Sequence, residues 1–343
     1  MEKMPNLKII GSGSEEKKRE AEERFKNKLF DHINFFPEKI QEEIKKLEYP
    51  KTEEQISFIS MANEETNRLM KSCDVESFNI PLDNFHIVPS EFYIKKIGKE
   101  GTAAVTLYNE QSIVFDARKV RGDNFEFAGD AFHETLHLKG SLVVQIEEND
   151  DYLKERIYRM GIDVKNTIKK SQKVGNTLYF DGLHEAIVSD QEKKFIRKLL
   201  ELEEFKKEKE ELNKEENIEG IEGLSKEKNI PIDDFLSFKK DKDGKRSWKN
   251  IPYLKQREVY SYICEEILKE NEDKYKDIEE VKKEFLKAHF TGNILPIARL
   301  VEESFGENSF RVLGGMGVEP SGAIQTKELL KNMRRQVLKK NSK

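Results

Sequence analysis

The sequence predicts an α+β fold, with a small mixed sheet, one apolar-faced helix after it, and a mainly helical C-terminal part. Three observations predict it. Apolar residues recur at three- and four-residue steps near both ends of the chain, as at Phe25, Leu29 and Ile33 and again across Tyr253–Lys269. Short β-prone runs lie between them, at Phe85–Val88, Thr102–Leu107 and Ser112–Phe115. A compact apolar segment, Ala128–Leu138, then ends at Gly140.

Residues 1–13 read as a loose start. Helical spacing begins at Ser14 and continues through Ile40, Ile44 and Leu47, and Pro37 splits it into two helices. Thr52 is a suitable N-cap for the next helix, with Gln55 completing a capping box and Ile56, Ile59, Leu69 and Met70 as its apolar face. The run Phe85–Val88 stops at Pro89, and the two runs around Tyr108–Gln111 read as a hairpin. Past Ser141, Glu148–Arg159, Leu183–Leu212, Tyr253–Lys269 and Asp277–Ala288 all carry helical spacing. The stretch Glu201–Glu219 is nearly all Lys and Glu, as expected of a solvated helix. Asp243-Gly244 marks a turn; Lys245 and Arg246 occupy positions that a calcium loop needs for a ligand and a glycine. Gly314–Gly317 reads as a flexible exit, and Leu329–Lys340 as a basic terminal helix. The expected units are an N-terminal helical extension (1–48), an upper subdomain with the sheet and apolar helix (49–140), a helical lower subdomain (141–313) and a flexible basic tail (314–343).

Charge narrows the function classes. The chain has 343 residues, 37% of them charged, with 61 Lys+Arg against 66 Asp+Glu and a net charge of −5. Nucleic-acid binders usually carry a basic excess, so a nucleic-acid partner is not expected. No apolar run approaches the roughly 18–20 residues of a membrane span, so no membrane association is expected. The start, Met1–Asn6, lacks the apolar core of a secretory signal. Cys73 and Cys264 are too few for a disulfide framework or a four-cysteine zinc site, so a reducing, cytoplasmic setting is expected.

One motif carries chemistry: His133-Glu134-Thr135-Leu136-His137, an H-E-x-x-H. Residues four apart share a helix face, so both imidazoles point at one spot, as a zinc ion requires. Glu134, beside the first histidine, is placed to act as general base on a metal-bound water. Chance supplies this pattern on the order of 0.01 times in a chain of this composition. Catalytic zinc needs a third protein ligand. Three residues past Gly140, where a third histidine would fall in H-E-x-x-H-x-x-G-x-x-H, stands Val143, which cannot ligate. The next candidate segment is Gly182–Asp190, with His184 and Glu185 in the first turn of another helix.

H-E-x-x-H followed by this segment resembles the gluzincin metallopeptidases, and among them the compact intracellular minigluzincins. The resemblance covers about residues 80–195. In that family a glutamate on a second helix is the third zinc ligand, which corresponds here to Glu185, 48 residues after His137. The resemblance implies a zincin-like fold and one catalytic Zn²⁺ held by His133, His137 and Glu185. It also implies Glu134 as general base and a peptide or protein substrate paired with the edge of the Thr102–Phe115 hairpin. Ser189 or Asp190 would steady a ligating histidine. The oxyanion donor stays open among His289, Tyr179, Tyr260 and Tyr262. Two other functions fit the same ligands: a cytoplasmic regulatory protease specific for one partner protein, or an inactive zinc-stabilised helical scaffold. Residues 14–48 either cover the cleft or pack away from it.

Overall fold

The computed structural model describes residues 6–30, 36–98, 100–121, 124–149, 152–170, 173–240 and 246–341. In chain order the elements are β1 (Leu7–Gly11), α1 (Glu15–Phe30), α2 (Glu38–Leu47), α3 (Glu53–Ser72), β2 (Phe85–Val88), the short α4 (Ser90–Phe92), β3 (Ala104–Leu107), β4 (Ser112–Asp116), the short α5 (Ala117–Val120) and α6 (Asn124–Lys139). Then come β5 (Leu142–Asn149), β6 (Tyr152–Met160), β7 (Asp163–Lys170), β8 (Lys173–Tyr179), α7 (Asp181–Leu199), α8 (Lys206–Leu212), α9 (Glu215–Lys228), β9 (Phe235–Lys240) and β10 (Arg246–Asn250). The helices α10 (Leu254–Glu270), α11 (Ile278–Thr291), α12 (Leu295–Phe305), α13 (Ser309–Gly314) and α14 (Pro320–Asn341) complete it. The class is α+β, and no described helix is long and apolar enough to cross a membrane.

The three-stranded sheet has the order β2-β4-β3, with β2 parallel and β3 antiparallel to β4, so β3 is an edge strand. Successive strand residues face opposite sides. Ile113 and Phe115 of β4 therefore join the main core with Phe127 and Phe132 of α6, whereas Val114 faces Phe36 and Ile44 at α2. Thus α2 lies on the sheet face opposite α6 and does not cover it. Thr52 caps α3 as expected: Gln55 N donates to its hydroxyl at 3.2 Å and Thr52 N donates to the Gln55 side chain at 3.0 Å. Of the expected apolar face of α3, Ile59, Leu69 and Met70 are buried and Ile56 is exposed.

Several expectations are corrected. The loose start contains β1, which pairs in parallel with β5 at the edge of a five-stranded sheet ordered β1-β5-β6-β7-β8. Glu148–Arg159, expected as helix, lies on strands in its described residues: β5 and β6 pair antiparallel from Leu142↔Met160 to Asn149↔Tyr152. The part after Ser141 is therefore not mainly helical until α7. The charged stretch Glu201–Glu219 is not one helix either. Leu202 is extended (φ −87°, ψ 147°), and Phe205 buries its ring against Phe58 and Phe125. The tail is docked: Ala323, Leu330 and Arg334 of α14 are buried, and Arg334 donates to Ser304 O at 2.8 Å and to Glu266. The glycine run packs on the start of α7, where Gly182 N donates to Met316 O at 3.0 Å. A Cβ on Gly182 would stand 2.4 Å from Gly317 O, so the close approach requires glycine. Ile33, His32 and the turn expected at Asp243-Gly244 lie outside the described residues; β9 and β10, on either side of residues 241–245, pair antiparallel.

Candidate metal centre

The helices α6 and α7 meet through a stacked ring pair, Phe132 and Phe195, with centroids 4.3 Å apart. That contact sets the spacing of the polar groups beside it. His133 and His137 face each other with Nε2 atoms 3.1 Å apart, and Glu185 Oε2 lies 3.5 Å from each. Four ligands about 2.0–2.1 Å from a tetrahedral ion stand about 3.3–3.4 Å from one another, which is the size of this triangle. Among the described residues, this is the one cluster of three or more His, Cys, Asp or Glu groups close enough to share an ion.

Protonation sharpens the fit. His133 Nδ1 lies 2.8 Å from Glu192 Oε2, and a carboxylate there holds the ring proton on Nδ1. Once its Nε2 proton is displaced, the ring aims that lone pair at the other two ligand atoms. Glu185 Oε2 is buried with no hydrogen-bond partner. Two nitrogen acceptors and a carboxylate converging in a buried place call for a cation. The same field acts on protons: burial opposes charge on His133, but Glu192 and Glu185 outweigh it and hold its pKa well above the usual histidine value. Burial would raise Glu185, yet His137 and His133 outweigh it and hold its carboxyl well down.

Glu134 is held from the neighbouring strand. Its Oε2 accepts from the Thr106 hydroxyl at 2.7 Å, and the same hydroxyl lies 3.0 Å from Glu134 O. Thr106 belongs to β3, so the edge strand and the Glu134 carboxylate are adjacent. This is the hairpin expected from the sequence.

The remaining expectations sort by distance. His184 is not a member of the ligand triangle. Its Nε2 lies 3.1 Å from His289 Nδ1, and His289 Nε2 lies 3.0 Å from Leu136 O. A carbonyl only accepts, so His289 donates from Nε2 to Leu136 and accepts from His184 at Nδ1. This buried chain straps α7 to α6 through α11. It passes over Gly161 (φ +55°), where a Cβ would come within 2.7 Å of both rings. His289 is fully buried in that strap and does not reach the ligand triangle as an oxyanion donor. Tyr260 is buried with its hydroxyl on Lys282 O, Tyr262 packs on Phe305, and Tyr179 is exposed on β8. Asp190 binds Lys282 at 2.6 Å and Lys194 at 3.1 Å, and the Ser189 hydroxyl is buried without a partner, so neither steadies a ligand.

Three residues escaped the sequence. Glu192 is the carboxylate that steadies His133. It stands seven residues, two helical turns, after Glu185, a spacing that puts both on one face. Thr106 had no short-range signal. Tyr253, the residue before α10, has the left-handed backbone (φ +56°), uncommon outside glycine. Its hydroxyl is close enough to Glu185, Glu134 and Glu192 for all three carboxylates to act on it. Burial first, then the Glu185, Glu134 and Glu192 carboxylates, push its pKa far up, so it stays a donor. Comparison with protein-family models, curated proteins and solved structures gives no match.

Proposed function

We propose that this chain is a zinc metallopeptidase with a zincin-like fold and gluzincin-type ligands: His133 and His137 from α6, and Glu185 from α7. The observation that carries the proposal is the 3.1, 3.5 and 3.5 Å triangle of ligand atoms with a carboxylate, Glu134, beside it on the same helix. A zinc ion held there supplies Lewis acidity to a water and to the scissile carbonyl. Glu134 takes the proton from the attacking water and returns it to the leaving amine. Its bond to Thr106 fixes the carboxylate while leaving the other oxygen free for that work. Tyr253 donates its phenolic hydrogen to the oxygen that gains negative charge. The substrate is an extended peptide that adds to β3 by backbone hydrogen bonds. Both cysteines are free and buried, in keeping with a reducing, cytoplasmic setting.

The test is Glu134→Gln. The variant should bind one zinc per chain by elemental analysis yet hydrolyse a peptide library about 10³-fold more slowly than wild type. Wild-type rates in that variant would end the proposal.

A further inference from the structure

The left-handed backbone at Tyr253 has a visible cause. Arg257, one turn into α10 and buried, spends its guanidinium on the chain just before Tyr253. Its Nε donates to Pro252 O at 3.0 Å and its Nη2 to Ile251 O at 3.2 Å. The same fork grips Asp234 in two parallel bonds, Nη1–Oδ1 at 3.1 Å and Nη2–Oδ2 at 2.7 Å. Asp234 is fully buried and also accepts from Lys193 Nζ at 2.5 Å, while its backbone carbonyl accepts from Ile251 N at 2.9 Å. Lys193 follows Glu192 on α7. A continuous bonded path therefore runs from the helix that carries Glu185, through Asp234 and Arg257, to the two peptide planes leading into Tyr253.

Those planes decide where the phenol goes. Fixing the Pro252 carbonyl fixes the plane from which the Tyr253 φ angle is measured. The Tyr253 carbonyl is held in turn, accepting from Arg257 N at 2.9 Å. A non-glycine residue at positive φ is strained and persists only when its surroundings over-determine it. Here the peptide before Tyr253 is tied to the Arg257 side chain and the peptide after it to the Arg257 backbone N–H.

We infer that Arg257 and Asp234 form a positioning clamp: they act through the strained turn at Tyr253 to hold its hydroxyl at the metal centre. The link from hydroxyl position to rate rests on the peptidase proposal; the clamp itself does not.

Two measurements separate these. With 3-fluorotyrosine at position 253, the wild-type protein should give one ¹⁹F resonance displaced from the solvent-exposed position. Arg257→Lys, which keeps the charge but loses the fork, should move it toward that position or broaden it, as should Asp234→Asn. An unmoved resonance in both folded variants overturns the clamp, whether or not the chain hydrolyses peptides. In the kinetic arm, Tyr253→Phe should lower kcat about 100-fold and Arg257→Lys about tenfold, with KM within about twofold in each. In the Tyr253→Phe background, Arg257→Lys should cost under about twofold, because its route to the rate is gone. An undiminished tenfold loss there, or an unchanged kcat in Tyr253→Phe, overturns the inference. A wild-type chain that cleaves nothing counts against the peptidase proposal, and the ¹⁹F arm still decides the clamp.

Discussion

The two ends of α7 treat charge in opposite ways. At its C-terminal end every cation has a partner: Lys193 with Asp233 and Asp234, Lys194 with Asp190 and Glu279, Arg197 with Asp233, and Lys198 with Glu65. At its N-terminal end the charges are left open. Glu185 Oε2, His137 Nδ1 and Asp163 Oδ1 are buried without partners. Burial and the neighbouring Asp181 push Asp163 up to about 7. The closed end holds itself together as a fixed ionic frame. The open end is costly on its own and gains from a cation between the helices. The same helix thus separates a charge network that builds the fold from one that waits for a guest.

That contrast is breakable, and the sharpest break is a pair of substitutions. Asp234→Asn removes a buried anion from the closed end and strands Arg257; urea unfolding should show a loss of about 3–5 kcal/mol, with zinc still bound one per chain. Glu185→Gln removes an anion from the open end. Zinc should be lost from the variant, while the zinc-free protein loses less stability than Asp234→Asn does, because Glu185 gives up only its histidine contacts. Equal stability losses in both zinc-free variants would show that the two ends do not differ.

Acid probes the strap between them. Burial pushes His289 down to about 4, from the usual histidine value of 6.5. Between those values the unfolded chain binds a proton that the folded chain refuses, so stability is present above about 6.5 and is lost as pH falls toward 4. The loss attributable to His289 is about 3 kcal/mol. His133 shifts the other way, so its contribution is complete below about 6.5 and stays flat across this window. The Glu185 contribution is lost only at lower pH. Urea unfolding of the zinc-free protein from pH 7 to 4.5 should therefore show a shallower slope for His289→Gln than for wild type. Parallel slopes would remove His289 from the account.

How much of this was legible in the sequence depends on whether the decisive neighbours are local. His133 and His137 are one turn apart and Thr52 and Gln55 are three residues apart, so periodicity and capping rules reach them. Tyr152–Met160 defeats the same rules. Its apolar residues at 153, 157, 158 and 160 satisfy helical spacing, and pairing with residues 142–149 is what makes it a strand. Glu192 was within reach of a two-turn count from Glu185. Tyr253 was not. Its place depends on Asp234 and Lys193, which lie 19 and 60 residues earlier in the chain.

Glu192 stands at the boundary between the two ends, one residue before Lys193, and offers the finest test of the contrast. It touches no ion in the proposed site; it acts on His133 through a 2.8 Å contact. Supporting carboxylates of this kind typically govern 10- to 100-fold in metal affinity. Glu192→Gln retains an acceptor for the ring proton but loses the charge, so zinc affinity measured against a competing chelator should fall about tenfold. Glu192→Ala leaves the ring free to turn and should approach about 100-fold. Neither should disturb the Asp234 frame, so urea stability of the zinc-free protein should stay within about 1 kcal/mol of wild type. If Glu192→Ala instead bound zinc as tightly as wild type and lost stability like Asp234→Asn, Glu192 would belong to the closed frame. The open site would then be the ligand triangle alone.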